Sequence, residues 1–248
     1  MAVAGNDLIA QLPRRDRLRL LAISESVQLE HGVVLCQPSE PSQYVYFPND
    51  CCISLLMATD GPSWLGVGMV GREGMLGAQL VLGVHATPMY ALVQEGGTAW
   101  RIEAAPFCRE LVLGEALRRH LNLYLYVQMA HLATSAACIH THLIGPRLSR
   151  WLLMTQDRMH SEASHLTQEF LARMLGVRRV GITGAAADLQ RRGLIRYRRG
   201  EIEVLDRAGL EGDACGCYAA DRAAHARFVR SSGPNLTIPA LVDTSHST

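Results

Sequence analysis

The segment 166–180 restricts the fold of this 248-residue chain more than any other stretch. Thr167 can cap a helix whose apolar residues recur at helical spacing. Those residues are Phe170, Leu171, Met174 and Leu175. Gly176 follows, where glycine can turn left-handed without a Cβ clash. A second helix is predicted to begin near Arg178 and to end before Gly193. Two helices joined in this way are typical of a helix-turn-helix, whose second helix enters the major groove of DNA.

A small hairpin is predicted after the second helix, which completes the pattern of a winged helix. The runs 194–197 and 201–204 alternate around a turn at Arg199-Gly200. On its helical spacing alone, the segment also fits an ordinary helical hairpin in a core. The charge distribution favours DNA binding, because residues 147–207 hold twelve arginines against seven acidic residues, whereas residues 1–146 carry a net charge of −3. The whole-chain charge of +1 therefore conceals a basic pole suited to phosphates.

An uncharged stretch between residues 121 and 146 precedes this unit. Its apolar positions, and those just before it, recur every three or four residues at Leu117, Leu121, Leu125, Met129, Leu132, Ala136, Ile139 and Leu143. We predict a long helix over 114–143 that pairs with its own copy as in a coiled coil. Packing against the adjacent domain is the alternative. A membrane span is disfavoured because the stretch contains amides, hydroxyls and histidines that lipid tolerates poorly.

Short runs of β-like composition fill the N-terminal third, after an opening helix predicted over 7–23. The runs lie at 33–35, 44–47, 53–57, 65–70, 90–93 and 98–102. Turn residues separate them at roughly 8 to 12 residues, which predicts a sandwich or a jelly roll. The predicted fold class is therefore α+β. Its parts are a β-roll over 1–113, the long helix over 114–143, a winged helix over 144–210 and a partly disordered extension over 211–248.

The order of roll, long helix and winged helix resembles the Crp/Fnr superfamily of bacterial transcription regulators over about residues 8–210. The matching segments are 32–35, 46–48 and 71–77 in the roll, and 166–169, 176–179 and 189–195 in the winged helix. The resemblance implies a cytoplasmic homodimer that binds a near-palindromic site on double-stranded DNA and contacts RNA polymerase. It offers Gly71, Glu73 and Gly74 as candidate effector-pocket residues. The candidate DNA-binding residues are Thr167, Gln168, Arg178, Arg179, Val180, Thr183 and Arg191.

Two departures from the family pattern narrow these expectations. Members that bind cyclic AMP hold its phosphate with an arginine, but no arginine occurs between Arg72 and Arg101, so cyclic-nucleotide binding is disfavoured. In the second helix, Val180 stands where the best-known members have glutamate, and Gly184 where they have arginine. We therefore expect a different operator sequence.

The seven cysteines do not show the close spacing of an iron–sulfur motif, and their odd number fits a reducing cytosol. No secretory signal is apparent at the N-terminus. Cys138, His140 and His142 follow one another in two-residue steps, which diverge around a helix, and Cys215 and Cys217 lie far downstream. The prediction is therefore no metal site and no resident cofactor, with the effector unknown.

Two other functional classes stay open at this point. The chain could be a ligand- or redox-sensing roll that acts through protein interaction. It could also be an enzyme on a cupin-like roll, but that class needs clustered histidines in the strands, and His85 is the only histidine between His31 and His120. We therefore expect a non-enzymatic regulator. The segments 231–234 and 243–248 are expected to be loosely ordered.

Overall fold

Two short helices open the chain, where one helix was predicted over 7–23. The computed structural model describes residues 5–60, 64–159 and 163–231. In it, α1 spans Asp7–Ala10 and α2 spans Arg14–Ala22. Pro13 separates them because proline cannot donate the backbone hydrogen bond that a continuous helix needs.

Two antiparallel sheets form the N-terminal β domain. The strands are β1 (Glu25–Leu29), β2 (Val34–Cys36), β3 (Tyr44–Pro48), β4 (Cys52–Ala58), β5 (Trp64–Val70), β6 (Met89–Glu95) and β7 (Gly97–Glu103), with a 3₁₀ turn at Ala78–Leu82. One sheet has the order β1-β7-β3 and the other β2-β6-β4-β5. The six runs predicted from the sequence are all strands. β1 was missed because its residues are mostly polar and only Leu29 is buried.

A 27-residue helix, α4 (Glu115–Thr141), follows α3 (Ala104–Leu113). Its first half is part of the β domain's core, with Leu117, Leu121 and Tyr124 buried. In its second half the apolar positions face outward, and Met129 is 68% exposed. We name the apolar positions predicted along this helix the α4 seam. The seam therefore divides into an internal half and an exposed half.

The C-terminal half contains the predicted winged helix. Its elements are α5 (Ile144–Arg158), β8 (Ala163–His165), α6 (Gln168–Leu175), α7 (Arg179–Arg191), β9 (Ile195–Arg198), β10 (Glu201–Val204), α8 (Arg207–Asp213) and α9 (Cys217–Ser231). The order of the small sheet is β8-β10-β9. α6 packs on β5 of the roll so closely that a Cβ at Gly66 would lie 2.8 Å from the Cα of Met174. The predicted α+β fold class is confirmed.

The extension predicted as partly disordered over 211–248 contains an ordered helix. α9 packs along α4, where Phe228 is only 3% exposed and its ring centroid lies 5.0 Å from that of His120. A buried ion pair of 2.6 Å joins Asp221 to Arg150 of α5. This helix was not predicted because the residues that it packs against are distant in the chain. The predicted loose ends at 232–234 and 243–248 lie outside the described residues.

The uncharged stretch at 121–146 is divided between α4 and α5. Within the described ranges, no helix is both long enough and apolar enough to cross a bilayer.

Candidate nucleic-acid interface

The turn between α6 and α7 has the geometry that the sequence predicts. The Thr167 hydroxyl oxygen accepts the N–H of Phe170 at 3.1 Å and so caps α6. Gly176 ends the helix in the left-handed conformation, at φ 63° and ψ 41°. The N–H of Val177 then donates to the carbonyl of Ala172 at 2.9 Å, which closes the turn. These local bonds fix the direction in which α7 leaves the turn.

The first turn of α7 presents two cations and an apolar side chain to solvent. Arg178 and Arg179 are exposed, and Val180 is 74% exposed. Among the residues that the structure describes, neither arginine has an acidic partner within salt-bridge distance. No side chain caps α7, so its positive N-terminal end is open to an anion. This end can therefore accept a phosphate or present guanidinium groups to base edges.

Three other predicted contact residues have partners within the domain. The Thr183 hydroxyl donates to the Gln168 side-chain carbonyl at 2.7 Å, which joins α7 to the start of α6. Arg191 forms an ion pair with Asp188 one turn earlier on the same helix. Arg191 is thus partly neutralised, whereas Thr183 and Gln168 form one polar unit beside the exposed end of α7.

The wing adds two cations that were not among the predicted site residues. Arg198 ends β9, and Arg199 occupies the turn in a left-handed conformation at φ 52°. Both are exposed, and neither forms an ion pair within the described ranges. The wing is held to the domain through Tyr197, whose N–H donates to the Gln190 side chain at 2.7 Å. The arginines in the predicted turn were the signal that could have identified this second contact.

The basic surface is smaller than the arginine count indicates. Between residues 178 and 199 there are seven arginines. Three of them, Arg191, Arg192 and Arg196, form ion pairs with acidic residues of the domain. The four others are concentrated at the start of α7 and at the wing tip. We name these four, Arg178, Arg179, Arg198 and Arg199, the unpaired arginine set.

Residues 146–212 match the model of the Crp-like helix-turn-helix domain. The chain carries a Crp-like helix-turn-helix domain. FixK2 from Bradyrhizobium japonicum is similar in fold, with a TM-score of 0.67, 12% identity and coverage of 78% of this chain and 98% of FixK2. Two regulators of Thermus thermophilus, TTHB099 of the CRP family and TTHA1359 of the CRP/FNR family, give TM-scores of 0.63 and 0.62 at 18% and 22% identity. They cover 76% and 77% of this chain, and 96% and 98% of their own.

These similarities confirm the resemblance to Crp/Fnr regulators, and at such identities the structural matches establish the fold. No curated protein matches the chain by sequence. The Crp-like domain follows the β domain and the long helix, in the order that the sequence predicts.

A cavity of about 790 Å³ lies between the roll and α4. Its lining is largely apolar and includes Leu55, Met69, Ala91, Leu125 and Met129, with Tyr44, Tyr46 and Gln128 among the polar groups. Arg101 also lines it, but its guanidinium binds Glu25 at 2.7 Å. The cavity could therefore hold a compact, mainly apolar molecule.

The candidate effector residues Gly71, Glu73 and Gly74 are not among the residues that line this cavity. Glu73 instead forms a buried ion pair of 2.8 Å with Arg158 at the end of α5. A Cβ at Gly71 would lie 2.4 Å from the Cβ of Arg158, and one at Gly74 would lie 2.3 Å from the Tyr124 hydroxyl. In this arrangement the segment 71–74 joins the roll to the C-terminal half.

The structure brings together cysteine and histidine side chains that the sequence analysis did not expect to form a group. Cys138, His142, Cys215 and Cys217 place their ligand atoms within 4.8 Å of one another. The argument from two-residue steps did not cover this group. Cys138 lies on α4, and His142 follows the last residue of that helix, with its N–H donating to the Cys138 carbonyl at 3.1 Å. Cys215 and Cys217 reach them from far along the chain. His140, the middle residue, is exposed and is not part of the group. We name these four residues the Cys3His cluster.

Proposed function

We propose that this chain is a transcription regulator that binds double-stranded DNA through α7 and the wing. The observation that carries the proposal is the unpaired arginine set, which is exposed at the start of α7 and at the wing tip of a Crp-like domain. Unpaired guanidinium groups are free to bind phosphates and guanine edges. Residues 146–212 supply the fold in which such a surface meets DNA.

The residues of α7 suggest how a sequence is read. Arg178 and Arg179 lie at the helix start, where arginine can contact guanine by two hydrogen bonds or bind an adjacent phosphate. Val180 offers only apolar contact, such as packing against a thymine methyl group. Gly184 leaves open space on the same helix, since nothing lies within 4 Å of a Cβ built there. We therefore propose an operator unlike that of the best-known family members, with Thr167, Gln168, Thr183 and Arg191 as supporting contacts.

A homodimer is proposed from the second half of α4. Met129, Leu132 and Ile139 recur at seam spacing and are exposed in the single chain. Burial of such a seam against a second copy removes apolar surface from water. A symmetric dimer presents two copies of α7, so it matches a near-palindromic site with half-sites about 34 Å apart. By family resemblance, we also propose that the dimer acts in the cytoplasm and contacts RNA polymerase.

The effector is proposed to be an apolar molecule rather than a cyclic nucleotide. The cavity beside α4 is lined mainly by apolar side chains, and the two arginines that line it, Arg101 and Arg158, are already paired with Glu25 and Glu73. A cyclic phosphate placed there lacks the bidentate partner that its charge needs. Because Leu125 and Met129 line both the cavity and the α4 seam, occupancy of the cavity can affect how two copies pair.

The second candidate function uses the same cavity without DNA. In it, the chain is a ligand-sensing roll whose output is protein interaction. A large apolar cavity favours this class as much as the first, but it leaves the unpaired arginine set without a role.

Selection of bound sequences from a random duplex library, followed by footprinting and salt titration, separates the two candidates. A regulator is expected to protect two half-sites, and its log affinity should fall linearly with log salt. With three phosphate contacts per protomer, from Arg178, Arg198 and Arg199, the slope would be about −5 for a dimer. Arg173→Ala is the control, because Arg173 is exposed but pairs with Glu169 on α6. Failure to bind any duplex at low salt would refute the regulator.

A further inference from the structure

The Cys3His cluster joins two parts of the chain that are more than 70 residues apart. Cys138 and His142 lie at the C-terminal end of α4, whereas Cys215 and Cys217 lie at the start of α9. The Cys138 and Cys215 sulfurs are 3.5 Å apart, and the Cys217 sulfur is 3.7 Å from Nδ1 of His142. Cys138 and Cys215 are buried, and Cys217 is half-buried.

These distances fit one tetrahedral ion. Zinc binds cysteine sulfur at about 2.3 Å and histidine nitrogen at about 2.0 to 2.1 Å, which places neighbouring ligand atoms about 3.5 to 3.8 Å apart. The sulfur–sulfur and sulfur–nitrogen separations of 3.5 and 3.7 Å fall in that range, and no pair of ligand atoms in the cluster is more than 4.8 Å apart. An iron–sulfur cluster needs ligands spread over several irons, so the compact arrangement favours a single ion.

We propose that Cys138, His142, Cys215 and Cys217 bind one divalent metal ion of the zinc class as a structural site. Three thiols each lose a proton to solvent as their sulfurs bind the metal, and His142 binds as neutral imidazole through Nδ1. In the chain without metal, Nδ1 of His142 contacts the Thr141 hydroxyl at 2.9 Å, and it exchanges this contact for the metal. All four positions are then filled by protein atoms, which is the pattern of a closed structural site rather than a catalytic one. Zinc itself undergoes no redox step there.

The surroundings of the cluster support an anionic site. Three thiolates and one divalent ion carry a net charge of −1. Arg150 lies near enough to interact electrostatically with both Cys138 and Cys215. Its guanidinium is held by Asp221 at 2.6 Å and by the Ser135 hydroxyl at 3.1 Å. Arg150 is therefore positioned beside the sulfurs by residues of α9 and α4, as outer-sphere groups commonly are in metal sites.

The metal would fasten α9 across the junction at which the long helix meets the DNA-binding half. His142 caps the C-terminal end of α4, α5 begins at Ile144, and the N–H of Cys215 donates to the Pro146 carbonyl at 3.3 Å. An ion held from both sides restricts rotation of α5 relative to α4. An effect of this restriction on DNA binding rests on the proposed function, whereas metal binding itself does not.

Zinc content of the full-length chain, purified without chelator, tests the site directly. One ion per protomer is expected by elemental analysis. His142→Asn and Cys217→Ser should weaken zinc binding by more than about 100-fold, because even outer-sphere changes cost about 10- to 100-fold. The matched controls are His140→Asn and Cys108→Ser, which change a neighbouring exposed histidine and a half-buried cysteine outside the cluster. Equal zinc affinity in His142→Asn and His140→Asn would overturn the proposal.

Cobalt titration of the unmodified chain keeps the test valid if the variants do not fold. Tetrahedral cobalt bound by thiolates gives charge-transfer and visible absorption bands, and these should saturate at one equivalent and disappear on addition of zinc. Absence of the bands in the fully reduced chain would overturn the site, as would a Cys138–Cys215 disulfide that persists in the reduced cytosol. Zinc binding without DNA binding would support the site and refute the proposed function. DNA binding by a chain that takes up no zinc would refute the site alone.

Discussion

The arginines of the Crp-like domain differ in whether an acidic residue already neutralises them. Arg179 has no such partner among the described residues, whereas Arg173 pairs with Glu169 at 3.3 Å. Both side chains are exposed, so they differ in availability rather than in burial. Formal charge along the sequence cannot distinguish them, because the pairing depends on which residues share a helix face.

Arg179→Ala is expected to cost about 1 to 3 kcal/mol of binding at one base position of the selected operator. The loss should be concentrated there because a bidentate contact to guanine has no equivalent on the other bases. The measurement is competition binding against every single-base variant of that operator, with Arg173→Ala as the control. An equal loss on all sequences would instead identify Arg179 as a phosphate contact.

His120 makes the docking of α9 sensitive to acid. Burial lowers the pKa of His120 below its usual 6.5, and it does the same for His225 at the same interface. Because the folded state disfavours the charged imidazole, the unfolded chain binds more protons below about pH 6.5. The stability that neutral histidine provides is therefore present above this pH and is lost as the pH falls through and below it.

His120→Gln should flatten the dependence of the unfolding free energy on pH. Glutamine keeps a polar group near the Leu8 carbonyl, 3.1 Å from Nε2 of His120, but does not titrate. Urea unfolding between about pH 8 and pH 5 measures the slope. The exposed His85, replaced in the same way, is the control. An unchanged slope in His120→Gln would mean that other groups govern the acid sensitivity.

At the scale of elements, local signals were sufficient where one segment determines its own structure. Thr167 and Gly176 fixed both ends of α6 from the sequence, and the turn at Arg199-Gly200 located the wing. Contacts between distant segments were not predictable. The pairing of Glu73 with Arg158 and the approach of Cys215 to Cys138 depend on the tertiary fold. Local patterns therefore could not indicate the ion pair of Glu73 or the group of possible metal ligands.

The exposed half of α4 gives a prediction at this scale. Leu132→Glu should raise the dimer dissociation constant by at least about 100-fold, since two leucines lose burial worth about 1.5 to 3 kcal/mol each. Operator affinity should fall with it. Light scattering over a concentration series measures the mass. Val112→Glu on α3 is the control, because Val112 is 79% exposed and lies off the seam. A Leu132→Glu chain that keeps the dimer mass would show that α4 is not the interface.

At the scale of the whole molecule, a buried ion pair joins the β domain to the winged-helix half. Glu73 lies in the β domain just after β5, and Arg158 is the last residue of α5. Both side chains are nearly inaccessible to water. The Arg158 guanidinium also donates to the Met154 carbonyl at 2.9 Å. Loss of one partner leaves the other charge buried without compensation, which is far more costly than loss of an exposed pair. Glu73 thus has a structural role that depends on both halves of the chain.

Arg158→Met is expected to lower the free energy of unfolding by about 3 to 5 kcal/mol, whereas Arg101→Met, which breaks the more exposed pair with Glu25, should cost less than about 1 kcal/mol. Adding Glu73→Leu to Arg158→Met should restore much of the loss, because no buried charge is then left alone. Guanidinium unfolding at one fixed protein concentration compares the unchanged chain with Arg158→Met, Glu73→Leu, their double variant and Arg101→Met. If the double variant is as unstable as the sum of its single changes, then the two residues do not stabilise the molecule as a pair, and the junction between its halves is held by the packing of α6 on β5.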